Sequence, residues 1–410
     1  MGKYFILFLI VTLTILLNSC GSDTGEGKPV NLYGGAGRTN SFEDFGSFYY
    51  KYPVIDKFEF KDSSGAITAP LVLPNSDIVV STVKGNILLI SSKQVKWSFK
   101  LDSTELPSAS LAADADMNIY VICSGGKLYS ISKDGELKWK KKIFDSVGRF
   151  DIFSDLLAQD DGVITAVSSG KIIKVGFDGN IKWKYSAKLS PTKTFASDEK
   201  GNLYIPLTHD EFGATDSLLC MSSSGKVVWE KGFENTRFIK SPVVFNKRIN
   251  LFGITESGEQ KISSIYSLDE KGKIIWKKEI LLFARNLSVD KDSRVYLSGY
   301  NSGIGETMSG VFCFSPDGKL VWKKYFEVII PSASIISKKY IAFVVTDKNT
   351  VGVYFLKKDG ILYEVVSMEN MPVLYLQPAV TSDPMLIFSG AEELCLVSID
   401  APPFDKFLPW

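Results

Sequence analysis

Beyond residue 20 the chain alternates apolar and polar residues in short runs, each ended by a cluster of Gly, Asn, Asp or Ser. Side chains with a period of two belong to half-buried strands, and turn residues at such close spacing favour hairpins over helices. The runs come in groups. Ser108 to Ala113 and Asn118 to Cys123 precede a hairpin at 126–139, and Thr194 to Ser197 and Asn202 to Leu207 precede another. The pattern predicts four short strands every 40 to 47 residues.

The groups repeat. Trp97, Trp139, Trp183, Trp229, Trp276 and Trp322 recur at intervals of 42, 44, 46, 47 and 46 residues, so six of the seven tryptophans mark one register. Before each stand a short alternating strand and a tight turn, as in Gly-Lys-Leu-Tyr-Ser-Ile-Ser-Lys-Asp-Gly-Glu-Leu-Lys-Trp at 126–139. The Asp-Gly pairs at 134, 178, 317 and 359, with Ser224-Gly225 and Lys271-Gly272, suit hairpin turns because glycine accepts a positive φ. The first unit departs, with Lys93-Gln94 in place of the glycine turn. One such sheet cannot bury both faces, whereas radial stacking can, with the indole filling the gap between neighbours. The expected fold class is therefore all-β, an eight-bladed β-propeller of four-stranded antiparallel blades over residues 46–410.

Closing the ring needs one incomplete part from each end. Tyr363, after Asp359-Gly360, stands near a seventh Trp position, and Leu386 to Asp400 supplies inner strands without a clear outer one. Asp56 to Phe60 has the character of an outer strand and would complete that last blade. The alternative is Phe404 to Trp410, where Asp405-Lys406-Phe407 would complete it instead. Lysines following the tryptophans, such as Lys140 to Lys142, Lys184, Lys231, Lys277 and Lys323, read as protection of the outermost strand against edge-to-edge pairing.

The N-terminal end also carries an address. Lys3, the apolar run Tyr4 to Leu17 and then Asn18-Ser19-Cys20 resemble a lipoprotein signal peptide at residues 1–19 and its lipobox, which implies acylation of Cys20. Residues 20–45, rich in glycine, read as a lipidated cysteine and flexible tether. With 47 basic against 46 acidic residues, charge suggests no nucleic-acid partner. Cys123, Cys220, Cys313 and Cys395 lie far apart with no CxxC pair, and Cys220 and Cys313 align with Ser130 and Ser267 as buried core thiols.

The strand, Asp-Gly and Trp grammar resembles the pyrroloquinoline-quinone-like propeller repeat, and 33–40, Tyr-Gly-Gly-Ala-Gly-Arg-Thr-Asn, looks like the glycine-rich, Arg-Thr opening of such arrays. With the lipobox and eight blades, the plan is similar to the BamB family of outer-membrane assembly lipoproteins. That resemblance implies a lipid-anchored envelope protein, on the outer membrane or cell surface, whose partners are other envelope proteins such as a β-barrel assembly complex. It specifies the fold more than the function, since one propeller repeat serves enzymes and scaffolds alike.

A quinone-dependent dehydrogenase of that repeat family would need cofactor and calcium in the central channel and an adjacent cysteine pair; the five cysteines include none. His209 is the only histidine, no Gly-x-Ser-x-Gly elbow is present, and Asp114, Asp116, Asp160, Asp161 and Asp198 sit where tight turns favour acids. No catalytic residue, metal or cofactor is expected, and the protein reads as a binding scaffold. The alternative is a sugar- or small-ligand-binding, or enzymatic, propeller using its channel. One positional clue remains. The connections 209–216, 255–261 and 300–309 are expanded in three consecutive blades and would form one rim. Phe212, Tyr300 and Ile304 are its candidate anchors, and Asp210, Glu211, Glu256, Glu259 and Glu306 make it acidic.

Overall fold

A computed structural model describes residues 28–31, 36–38, 41, 54–59, 65–145, 147–148, 151–209, 215–257, 260–300, 308–328, 330, 334–347, 350–369, 379–380, 385–389 and 393–398. Cys20, Asp210, Glu211, Phe212, Glu259, Ile304 and Glu306 lie outside them, as does the alternative closing segment 404–410. The described strands form eight antiparallel sheets and no helix. Seven follow in chain order, at 71–100, 112–142, 157–186, 190–232, 237–280, 283–326 and 335–369. In the fourth and fifth of these the first strand is split into two short segments that pair with the same second strand.

The eighth sheet draws on both ends of the chain. Ala379–Val380, Met385–Ser389 and Glu393–Ser398 supply three strands, and Val54–Glu59 pairs antiparallel with the last of them, Val54 opposite Ser398 and Glu59 opposite Glu393. The N-terminal strand thus holds the outer place in the C-terminal sheet.

Burial explains the order of strands. In the first seven sheets the first three strands are largely buried, while the fourth alternates between exposed and half-buried positions. Each apolar cluster lies between two successive sheets: Val79, Ile87 and Leu89 of the first pack with Val121 and Tyr129 of the second, and Phe252 and Ile265 of the fifth with Leu297 and Phe312 of the sixth. Phe58 of the eighth sheet packs on Ala66, Ile78, Val80 and Ile90 beside and within the first. First strands of neighbouring sheets adjoin, including those of the eighth and the first, so they surround a common axis.

One contact recurs at six seams. Each indole N–H donates to a backbone carbonyl in the hairpin turn of the next sheet at 2.8–3.0 Å: Trp97 to Lys133, Trp139 to Phe177, Trp183 to Ser223, Trp229 to Glu270, Trp276 to Pro316 and Trp322 to Lys358. The turn glycine two residues further lies against the same ring. A Cβ on Gly225 would stand 2.6 Å from Trp183, and its φ of 82° lies in the left-handed region. The glycine therefore answers two demands, a backbone angle and a close approach to an aromatic face.

The tryptophan is aimed by a β-bulge. Seven sheets shift register just before this position, leaving Lys96, Lys138, Lys182, Val228, Ile275, Val321 and Tyr363 as the extra residues. Such a bulge sharpens local twist and re-aims the following side chain. Small residues Ser130, Cys220, Ser267 and Cys313 stand opposite four of the indoles, as their alignment suggested. In the seventh sheet the residue in Trp register is Glu364, opposite Phe355, and Tyr363 is the bulged residue, stacked on Tyr340 at 4.7 Å.

Replacing Gly225 by Ala is expected to lower stability by about 1–3 kcal/mol, because both the left-handed angle and the indole resist a methyl group. Ser224→Ala in the same exposed turn is expected to stay within about 0.5 kcal/mol. Urea unfolding followed by tryptophan fluorescence distinguishes the two.

Candidate functional site

An antiparallel four-stranded sheet puts its first and third connections at one end and its second connection, with the link to the next sheet, at the other. The six indole contacts join third connections of neighbouring sheets, so the first seven sheets share one orientation. The molecule therefore has a turn face, built from the tight first and third turns, and a loop face, built from the second connections.

The acids of the turn face are consumed by their own turns. Asp114 accepts the backbone N–H groups of Asp116 and Asn118 on one oxygen, and the Asn118 amide and Tyr120 hydroxyl on the other, all at 2.8–3.0 Å. Asp198 does the same with Lys200, Asn202 and Tyr204, and Asp290 with Arg294 and Tyr296. Each tyrosine so held stacks on the indole of its own sheet, at 6.0 Å for Tyr120 on Trp139 and for Tyr204 on Trp229. Burial drives these three phenols above their usual range, with the facing carboxylate adding to the effect. Asp161 instead pairs with the fully buried Lys174 and with Lys182, and its carboxyl is held below the usual range by those two lysines against the opposing effect of burial.

The cysteine thiols are spent on packing. Cys123, Cys220 and Cys313 are free and buried, and burial pushes the thiols of Cys220 and Cys313 up to about 12. A thiol in that state is a small apolar group, without the thiolate that nucleophiles and soft metal ligands require. Among the described residues no three of His, Cys, Asp and Glu cluster in a way that would hold a metal ion.

The region around the axis holds an arrangement with no clear sequence signal. Residues of the stretch read as a tether are bonded to the first strands of successive sheets. Val30 and Ala113 of the second sheet exchange backbone hydrogen bonds at 2.8 and 3.0 Å. The Asn31 side chain both donates to and accepts from the backbone of Ala158 in the third. The Ala36 carbonyl accepts the Ser197 N–H in the fourth sheet, and the Gly37 carbonyl that of Val244 in the fifth. Arg38, 2% exposed, donates through Nε to the carbonyl of Phe195 and through Nη2 to that of Leu156, and Ser41 bridges to Ile336 of the seventh sheet. Ala113, Ala158, Ser197, Val244 and Ile336 lie within one residue of the end of a first strand, just before its turn, so the strap crosses the axis toward the turn face, with Arg38 reaching Leu156 and Phe195 further back. The Arg-Thr opening was the one hint in the sequence, and it gave no position.

The loop face is where the expected rim belongs. Its base at 209–216 is fixed by the buried Asp216, whose carboxylate accepts the N–H groups of His209 at 2.9 Å and of Phe238 in the fifth sheet at 2.8 Å. The segment 255–261 differs from the expected open loop. The strands Arg248–Ser257 and Gln260–Asp269 run on until Ser257 faces Gln260, with Glu256 opposite Lys261, because the alternation in Thr255-Glu256-Ser257 continues the ladder. The seventh sheet has a similar long hairpin, with Asp347 facing Thr350, which the spacing of turns alone did not reveal.

Between these hairpins Tyr300 ends the second strand of the sixth sheet, and it has described partners. Its ring lies 5.1 Å from that of Phe283 at the start of the first strand, and the exposed Arg285 guanidinium is 5.7 and 5.8 Å from the two ring centres. A bulge between Ala284 and Asn286 turns Arg285 out of the ladder, and Leu281, ahead of the same strand, is 56% exposed. A half-buried tyrosine and phenylalanine with an arginine stacked on both form the aromatic and arginine composition that protein interfaces concentrate at their energetic centres. Sequence reading found Tyr300 and missed Phe283 and Arg285, which belong to a different strand.

No protein-family model matches the chain, and no curated protein matches it in sequence. Solved structures do. BamB from Moraxella catarrhalis is similar with a TM-score of 0.60 at 14% identity, over 84% of this chain and 100% of that one. The Dos1 propeller gives 0.63 at 13% identity, over 85% and 96%. The quinohemoprotein alcohol dehydrogenase ADHIIG from Pseudomonas putida HK5 gives 0.63 at 11% identity, over 95% and 82%. The chain thus has a β-propeller fold, similar in architecture to BamB and to the propeller of that dehydrogenase. At these identities the likeness is one of fold.

Replacing Arg38 by Ala removes a buried guanidinium with two carbonyl bonds, and a loss of about 2–3 kcal/mol is expected. Hydrogen exchange is the sharper measurement. The Ser197 and Val244 amides, which donate to the strap, are expected to exchange faster, and the Gly225 amide, which bonds within its own turn, is expected to be unchanged.

Proposed function

We propose that the protein is a lipid-anchored envelope scaffold, an eight-bladed propeller that docks other envelope proteins through its loop face, with BamB-like work in outer-membrane protein assembly as the specific form. The observation that carries this reading is the strap. Around the axis the turn-face ends of four first strands are already bonded to Val30, Asn31, Ala36, Gly37 and Arg38, which supports work at a surface over work at that mouth of the channel. Two observations support the scaffold over a quinone enzyme: Arg38 in the strap is buried and bonded to backbone carbonyls, and the sequence has no adjacent cysteines. The work is therefore assigned to a surface, and no catalytic step is invoked.

On that surface the sixth sheet supplies the anchor, with Phe283, Arg285 and Tyr300 at its centre. The proposal extends that anchor to the second connections of the fourth to sixth sheets, whose sequences carry Asp210, Glu211, Phe212, Glu256, Glu259, Ile304 and Glu306, as an acidic and apolar rim. An arginine stacked on two rings gives up little side-chain freedom on binding, so it is preorganised to meet a partner carboxylate. Cys20 supplies the membrane attachment, and its chains provide the two or more apolar signals that stable anchoring requires.

The test is co-purification after mild crosslinking of the acylated chain in its own envelope. An outer-membrane β-barrel assembly component is expected in the eluate, and Arg285→Glu with Tyr300→Ala is expected to reduce its recovery at least about tenfold, the loss of one interface hot spot. Recovery unchanged by the pair, or a bound small molecule released on denaturation, counts against the scaffold.

Closure into eight blades has its own test. Lys57 and Cys395 are partners across the ladder that joins the two ends, and antiparallel partners lie about 4.5–5.5 Å apart at Cα, within disulfide range. Lys57→Cys is expected to form a disulfide with Cys395 on mild oxidation, seen as a linked peptide by mass spectrometry. No linked peptide, with both cysteines recovered separately, contradicts the closure.

A further inference from the structure

We infer that the turn-face edge of the fourth to sixth sheets rests on the lipid bilayer, so that anchoring orients the scaffold as well as tethering it. The inference rests on the anchored-scaffold reading above and adds a surface that reading does not use.

The outer strands of these three sheets begin Lys-Val-Val-Trp, Lys-Ile-Ile-Trp and Lys-Leu-Val-Trp. The tryptophan turns inward to its seam, which leaves the apolar pair before it outside. Val227 and Val228 are 46% and 56% exposed, Ile274 and Ile275 36% and 43%, and Leu320 and Val321 49% and 52%. On the first three sheets the bulged position is instead an exposed lysine, Lys96, Lys138 or Lys182. At the bulged position the outer circumference is thus apolar on one run of consecutive sheets and cationic on the other, while the position before it is exposed and apolar on the first two sheets as well, at Val95 and Leu137, and Ile361 and Leu362 are exposed on the seventh. Edge protection alone does not require that difference, because every one of these strands is an edge.

Lys226, Lys273 and Lys319 are exposed beside the apolar pairs, and Lys319 also pairs with Asp317. Apolar side chains flanked by lysine suit an interface with anionic headgroups, where the stems lie on the apolar layer and the ammonium groups reach the phosphates.

The length of chain before the strap gives the geometry. Val30 runs antiparallel to the first strand of the second sheet, so Lys28 and Pro29 lie toward the turn face. From Cys20 to Lys28 there are eight residues, which span at most about 29 Å when extended. A four-stranded sheet places its outer strand about 15 Å from its inner one. An anchor leaving the turn face near the axis therefore holds that face, and its outer edge, within reach of the bilayer.

The test uses the full acylated chain in vesicles of phosphatidylethanolamine and phosphatidylglycerol, after intact mass has verified the acyl chains. Val228→Cys, Val321→Cys and Lys138→Cys each receive an environment-sensitive dye, with the unsubstituted chain as the labelling control. At 228 and 321 the dye is expected to shift to the blue and to be quenched several-fold more by lipid-borne nitroxide than at 138. Equal quenching at all three, or none, overturns the orientation while leaving the anchor intact. Shielding at 228 and 321 that needs an added envelope protein, and not lipid, overturns it in favour of a protein partner. A mass without acyl chains removes the anchor and the inference together.

Discussion

The contact on which the architecture depends is the one between an indole and the turn of the next sheet. A four-stranded sheet with two apolar faces is unstable alone, and it gains a partner on each side only if its neighbours stack at a fixed height and angle. The N–H of Trp183 reaching Ser223, with Gly225 flat against its ring, sets both at once. A hydrogen bond gives direction and a glycine gives proximity. Six repetitions carry that geometry from the first sheet to the seventh, and the β-bulge before each tryptophan aims the ring.

From this follows the distinction between the two faces. Because each indole docks at the same end of the next sheet, short turns collect on one side and second connections on the other. The turn face is then committed to internal bonds, with Asp114, Asp198 and Asp290 satisfying backbone and tyrosine groups, and the strap crossing the axis through Asn31 and Arg38. The loop face keeps the half-exposed cluster of Phe283, Arg285 and Tyr300. Among the described residues no tryptophan docks at the two seams that flank the eighth sheet; Glu364 takes the register position in the seventh sheet, and the strand Val54–Glu59 joins the two ends of the chain.

The periodic part of this was open to sequence reading. Six tryptophans in register, the turn glycines ahead of five of them, and the small residues at 130, 220, 267 and 313 all follow from alternation and turn chemistry, which are local. What was not legible depends on distant partners. Nothing near Asn31 announces Ala158, 127 positions away, and nothing near Arg38 announces Phe195, 157 away. Likewise Tyr300 was found from its loop, but Phe283 and Arg285 reach it only because first and second strands pair. The hairpin at 255–261 looked like a loop because insertion length does not say whether a ladder continues through it.

The assignment of faces is tested most directly by photo-crosslinking in cells that make the protein, with a crosslinking residue at Tyr300 on the loop face or at Glu136 on the turn face. Envelope-protein adducts from position 300 and none from 136 are the predicted result. Adducts from 136 alone, or equally from both, would contradict it.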